Sequence, residues 1–137
     1  MIITGKFDGK TGDVFIVAVV KAYLTVVNGV DRLGEMLAQM PYLRRCMPTD
    51  LSFDKKGRMT LTDAQEQFLF NASLRIGQPY FEERLLTVDN RQDYTDAEVA
   101  GGLRYVELNP ILARQHTDPN DAVLEGCRNV RAWLQMA

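Results

Sequence analysis

Apolar and polar positions over residues 14–40 repeat with a helical period. Ile16, Val20, Tyr23, Val27, Val30, Leu37 and Met40 are apolar, and Lys21, Thr25, Asn28, Arg32, Glu35 and Gln39 fall between them at alternating steps of four and three. Steps of that size return to one helix face, so the polar set forms a stripe toward solvent and the apolar set faces a core. The stripe passes Asn28-Gly29 without losing phase. It predicts one long central helix weakened there, or two shorter helices in register; a glycine in a helix interior costs about 1 kcal/mol against alanine. The opening turns, Val14-Phe15-Ile16-Val17-Ala18-Val19-Val20, are apolar on every side, which places them deep in the fold. Their β-branched content and the glycine turn before them also suit a strand, the rival reading of residues 14–20.

Shorter elements are expected around this one. Ile2-Ile3-Thr4 has the composition of a strand, followed by the turn formers Asp8-Gly9 and Thr11-Gly12-Asp13, with Asp13 as N-cap of the central helix. Pro41 is expected to end that helix and residues 43–48 to form a connector. Leu51-Ser52-Phe53 and Met59-Thr60-Leu61 alternate about Asp54-Lys55-Lys56-Gly57, which predicts a hairpin with a basic tip and with Leu51, Phe53, Met59 and Leu61 on one face. Thr62-Asp63-Ala64-Gln65 and Thr95-Asp96-Ala97-Glu98 are capping boxes. The first opens a helix that buries Phe68, Leu69, Ala72 and Leu74 and ends near Gly77 and Pro79. The second carries Val99, Leu103 and Val106 inward as far as Asn109-Pro110. Residues 84–88 suit a short strand. Asp118-Pro119 opens a last helix with Val123, Leu124, Cys127, Val130 and Leu134 on its inner face and Trp133 at its flank. The chain therefore predicts a helix-rich α+β fold in one domain, residues 1–137, with a long central helix and a small β component. Parallel pairing of the runs at Ile2 and Leu85 would make it a small α/β layer instead.

Composition limits the function classes. A length of 137 residues with 46% apolar content suits one domain with a real core. Lysine plus arginine number 16 against 18 acidic residues, a formal charge of -2, so no overall basic excess exists to hold a phosphate backbone and nucleic acid is not favoured as a partner. Lys21, Asn28 and Asp31 interrupt the central apolar run before the ~20 residues a membrane span needs. Cys46 and Cys127 lack closely spaced partners and no leader pattern is seen, so both thiols are expected free and packed in a reducing cytoplasm.

Two local patterns carry candidate chemistry. Gly5-Lys6-Phe7-Asp8-Gly9-Lys10-Thr11 resembles the phosphate-binding loop of P-loop nucleotidases, with three residues between the glycines where that loop has four. The resemblance implies that Lys10 reaches the phosphates, Thr11 holds magnesium, and Asp89, closing Leu85-Leu86-Thr87-Val88, supplies the acidic second half. Asn90 stands where related packaging and translocation ATPases carry a glutamate. Arg104-Tyr105-Val106-Glu107-Leu108-Asn109-Pro110, with Ala113-Arg114 and Asp118-Pro119, is similar to a C-terminal segment of the transposases that cut single-stranded DNA with a tyrosine and a histidine-held metal. His116 is the sole histidine, so that metal pair cannot be built and Tyr94 or Tyr105 would lack activation. Cys127, on an apolar helix face, is expected to be a packed thiol rather than a nucleophile paired with His116, itself expected in solvent. Asp89, Asp93, Asp96 and Glu98 lack the spacing of a calcium loop, and the last two suit a helix's first turn.

No complete catalytic set emerges. The leading expectation is a non-enzymatic interaction protein without a cofactor: an assembly, accessory or inhibitor subunit that meets a protein partner or itself through Tyr80, Phe81, Trp133 and Met136. The alternative is an atypical P-loop nucleotide-binding protein using Lys10, Thr11 and Asp89.

Overall fold

Two three-residue strands far apart in the chain form the β component. In the computed structural model, which describes residues 1–47, 53–76, 84 and 87–137, β1 (Ile2–Thr4) pairs antiparallel with β2 (Arg58–Thr60), Ile2 opposite Thr60 and Thr4 opposite Arg58. Side chains alternate across a strand, so Ile3 and Met59 are buried together while their neighbours face outward. Phe53 bridges Met59 on the other side of β2. The expected turn lies between them: the Gly57 amide donates to the Asp54 carbonyl at 3.1 Å and Gly57 takes a φ of 72°. Leu51 falls outside the described residues, and the main partner of β2 is β1 rather than the segment before the turn. Among the described residues β1 pairs only antiparallel, with β2. Leu85 and Leu86 lie outside the described residues, as do Gly77 and Pro79. The Thr87 amide donates to the Arg84 carbonyl at 3.0 Å.

The long central helix is divided. Residues 14–20 are helical, within α1 (Gly12–Val26). Beyond its end Asn28 takes a left-handed φ of 61° and the Gly29 amide donates to the Leu24 carbonyl at 2.8 Å. That 6→1 bond is a Schellman stop, which asparagine accepts at low cost and which gives the helix's last carbonyls a donor. A single 3-10 turn (Val30–Arg32) leads into α2 (Leu33–Leu37) and α3 (Met40–Cys46). The stripe therefore holds only through Asn28. Glu35 and Gln39 are each only 3% exposed: Glu35 accepts from Arg32 at 3.0 Å and Gln39 donates to the Ala72 carbonyl at 2.8 Å. Val27, expected inside, is exposed, whereas Val20 and Leu37 are buried as expected. Pro41 does not end a helix but sits in the first turn of α3, where its missing N–H leaves no bond unmade. Thr11, not Asp13, occupies the N-cap position of α1, and Asp13 instead receives Arg44 in a two-pronged pair at 2.8 and 2.6 Å.

Both capping boxes form. Thr62 and Gln65 exchange side-chain and backbone bonds at the start of α4 (Asp63–Ser73), and Thr95 and Glu98 do so at the start of α5 (Asp96–Leu108). In α4, Leu69 and Ala72 are buried, but Leu74 at the C-cap is exposed. After Asn109 a short α6 (Pro110–Gln115) appears where only a stop is expected, and Asp118 caps α7 (Pro119–Leu134) by accepting the Asn120 amide at 2.9 Å. Glycines let α5 and α7 touch backbone to backbone. A methyl group on Gly126 would sit 2.8 Å from the Gly102 carbonyl oxygen, and one on Gly34 of α2 would sit 2.8 Å from the Ala97 oxygen. A larger core gathers the sheet, α1 to α4 and the end of α7, and a smaller one joins Val88, Val99, Leu103, Val123 and Cys127 between α5 and α7. The fold is helix-rich α+β.

Candidate functional site

All five lysines of the chain line two adjoining hollows where β1 passes into α1 and the 54–57 turn closes over β2. Local structure puts them there. Phe7 is buried against Phe15 and Phe53, at ring distances of 6.4 and 6.3 Å, so the flanking Lys6 and Asp8 are turned to water. The Phe7 carbonyl accepts the Lys10 amide at 3.1 Å, closing a turn through Gly9 at φ 74°. The first hollow, about 410 Å³, is lined by Lys6, Lys10 and Lys21 over a floor that includes Ala18 and Ala22 of α1. The second, about 540 Å³, is lined by Lys6, Lys55 and Lys56 beside Phe53. Lys6 stands between the two.

Among the described residues no carboxylate forms an ion pair with any of these lysines, whereas several arginines are engaged: Arg44 with Asp13, Arg58 with Asp54, Arg131 with Glu98. Asp8 and Asp54 reach the rim of the second hollow. Asp54 is already committed, its carboxyl held below the usual range chiefly by the Arg58 backbone N–H and then by the Arg58 guanidinium and the Lys56 N–H. The surface is thus a cluster of ammonium groups with alkyl stems and small apolar floor residues, suited to holding anions by charge.

The residues expected to cradle a nucleotide are not brought together. The Gly5 amide is given to the Gly57 carbonyl at 3.0 Å and the Lys10 amide to Phe7, so two donors that a phosphate loop requires are committed to the backbone. Thr11 is exposed and its hydroxyl caps nothing. Asp89 pairs with Asn120 at the start of α7, its amide 3.1 Å from Oδ1. The hollow at Lys10 is closed by Met136 and Ala137, beyond the other end of that helix. At 1.5 Å per residue the helix between them spans about 21 Å.

The contact residues are placed unevenly. Trp133 is only 7% exposed, packed on Tyr105 at 5.9 Å beneath the Arg44 guanidinium, so its ring ties α3, α5 and α7 together. Met136 is half-buried and lines the first hollow. Tyr80 and Phe81 lie outside the described residues. His116 is not simply in solvent, since its Nε2 lies 2.8 Å from the Glu125 carboxylate. Cys127 is fully buried and burial pushes its thiol up to about 11, whereas Cys46, expected to be packed, is exposed. Among the described residues no cluster of three His, Cys, Asp or Glu side chains is placed to hold a metal, and no helix is long and apolar enough to cross a membrane.

Sequence reasoning missed the lysine cluster, though a signal was present: every lysine falls within residues 6–56 and all later basic residues are arginines. No protein-family model, curated protein or solved structure matches the chain, so its function is to be read from the chemistry of this surface.

Proposed function

We propose that this chain is a non-enzymatic interaction protein that docks an acidic surface of a partner protein on its lysine-lined face. The observation that supports this reading is the gathering of all five lysines around two hollows with no carboxylate partner among the described residues. Like charges held together repel, and an opposite surface relieves that repulsion on binding. Lysine suits the role because its ammonium is a mobile point charge that adapts to scattered carboxylates, where arginine's fixed fork favours one geometry. The test is fluorescence anisotropy with a labelled poly-glutamate chain, comparing the native protein with the Lys6→Glu/Lys10→Glu/Lys21→Glu variant. The native protein should bind, more tightly as salt is lowered, and the variant should lose about tenfold or more in affinity. Equal affinity in a variant that melts at the same temperature would overturn the proposal.

A further inference from the structure

The first hollow runs beside an edge of β1 that no described residue pairs with. In an antiparallel ladder, residues whose N–H and C=O point at the partner alternate with residues whose groups point away. The Leu61 amide donates to the Met1 carbonyl at 2.8 Å and the Gly5 amide to the Gly57 carbonyl at 3.0 Å. Met1, Ile3 and Gly5 therefore face β2, and Ile2 and Thr4 present both N–H and C=O on the opposite edge. The same parity holds across β2, where the Arg58 carbonyl accepts the Asp54 amide at 2.8 Å on the side away from β1. Ile2 is 58% exposed, Thr4 is exposed, and Thr4 lines the hollow together with Lys6, Lys10 and Lys21.

We infer that the acidic segment of the partner binds as an extended strand added to the edge of β1 that faces away from β2, with its carboxylates alternating into the hollow. The inference rests on the acidic-partner reading and gives it a geometry. A strand at that edge satisfies two amides and two carbonyls. Side chains alternate along a strand, so every second residue enters the hollow among the ammonium groups over Ala18 and Ala22, while the intervening ones lie beside Ile2 on the outer face. The matching ligand alternates acidic and apolar residues. A second copy of this chain is a poorer occupant, because pairing β1 with β1 brings two sets of these lysines together. A nucleic acid strand is poorer too: its phosphates only accept hydrogen bonds, so they cannot match the alternating N–H and C=O groups of Ile2 and Thr4 as a peptide backbone does.

The experiment uses the full chain, labelled with nitrogen-15, and two octapeptides of equal charge, one alternating valine with glutamate and one alternating proline with glutamate. The proline peptide carries the same carboxylates but lacks half the amides a ladder needs. The valine peptide should bind about tenfold tighter and slow hydrogen exchange at the Ile2 and Thr4 amides. Thr4→Pro, which removes an N–H that β2 does not use, should erase that advantage and leave the proline peptide's affinity unchanged. The exchange measurement on the unaltered protein decides the matter if that variant folds poorly. Equal binding of the two peptides with unchanged exchange at Ile2 and Thr4 overturns the added strand and leaves the acidic-partner reading standing. Failure of both peptides to bind sinks both. Tighter binding of a single-stranded oligonucleotide of the same charge, or concentration-dependent protection of the two amides without peptide, overturns the inference in favour of phosphate or of a second copy.

Discussion

Replacing Gly126 by alanine isolates what holds α5 against α7. In a free helix the change would stabilise by about 1 kcal/mol, since glycine has more backbone freedom to lose. Here the added methyl would lie 2.8 Å from the Gly102 oxygen and 3.1 Å from its Cα, with backbone rather than a flexible side chain in the way. Carbon contacts relax at ~3.5–4.0 Å, so the helices must part by roughly 0.7 Å, which thins the contacts of Val99, Leu103, Val123 and Cys127 on either side of the crossing. Overpacking of this kind costs up to about 3 kcal/mol, and subtracting the propensity gain leaves a net loss of about 2 kcal/mol. Urea denaturation measures it: with a slope of about 2 kcal/mol/M the midpoint should fall by about 1 M. Gly29→Ala is the control, because φ there is negative and the nearest atom is the end of Leu24 at 3.6 Å; its midpoint should move by less than the equivalent of about 0.5 kcal/mol. A Gly126→Ala protein as stable as the native one would refute the backbone-contact account of this crossing.

Thr62→Ala and Thr95→Ala should each lose about 1 kcal/mol in the same assay, because each hydroxyl accepts an amide of the first helical turn at 3.2 Å. Arg131 chiefly, with help from the Thr95 amide, holds the Glu98 carboxyl below its ordinary range. The folded state therefore favours the ionised form, and this contribution is fully present above the unfolded glutamate value of about 4.3 and lost as pH falls through the folded value. Glu98→Gln keeps the capping-box geometry and should flatten the decline of the urea midpoint between about pH 5 and pH 3; an unchanged decline would show that the pair with Arg131 does not set it. A thiol reagent at neutral pH should label Cys46 in the native protein and Cys127 only on unfolding, and fast labelling of both would contradict the packing of α7 on α5.

Features encoded within four neighbouring residues were legible in the sequence, and those encoded across the chain were not. Each capping box needs only a threonine and an acceptor three residues later, so both were read correctly. Asn28-Gly29 misled because the polar residues keep their helical spacing along the sequence past it; the left-handed residue, not the spacing, decides that the helix ends. Glu35 and Gln39 then look like surface residues although their partners, Arg32 and the Ala72 carbonyl, let them be buried. The pairing of Ile3 with Met59 was out of reach, since three-residue strands carry too little alternation to name a partner more than fifty residues away. Gly101, Gly102 and Gly126 count as weak points by propensity, and only the crossing of α5 with α7 and α2 turns them into contacts.

The formal charge of -2 argues against an anionic partner only if charge is spread evenly, and it is not. Residues 1–61 hold 9 basic and 6 acidic side chains, and residues 62–137 hold 7 and 12, so a +3 half is joined to a -5 half. At physiological salt the Debye length is ~8 Å, short enough that a carboxylate in the first hollow responds to Lys6, Lys10 and Lys21 and hardly to Asp118, Asp121 and Glu125 toward the start of α7, whose other end lies at the hollow. At ~0.01 M salt the length grows to ~30 Å, and the whole negative chain begins to act on the ligand. Poly-glutamate binding should therefore strengthen as salt falls from ~0.15 M and then level off, because long-range repulsion from residues 62–137 offsets the local attraction. Anisotropy titrations across that range check this, with a variant in which Asp118, Asp121 and Glu125 are changed to their amides extending the rise to lower salt. A straight, unbroken rise in the native protein would mean that the ligand does not sense the acidic half, and a fall from the outset would mean that it does not sit among the lysines.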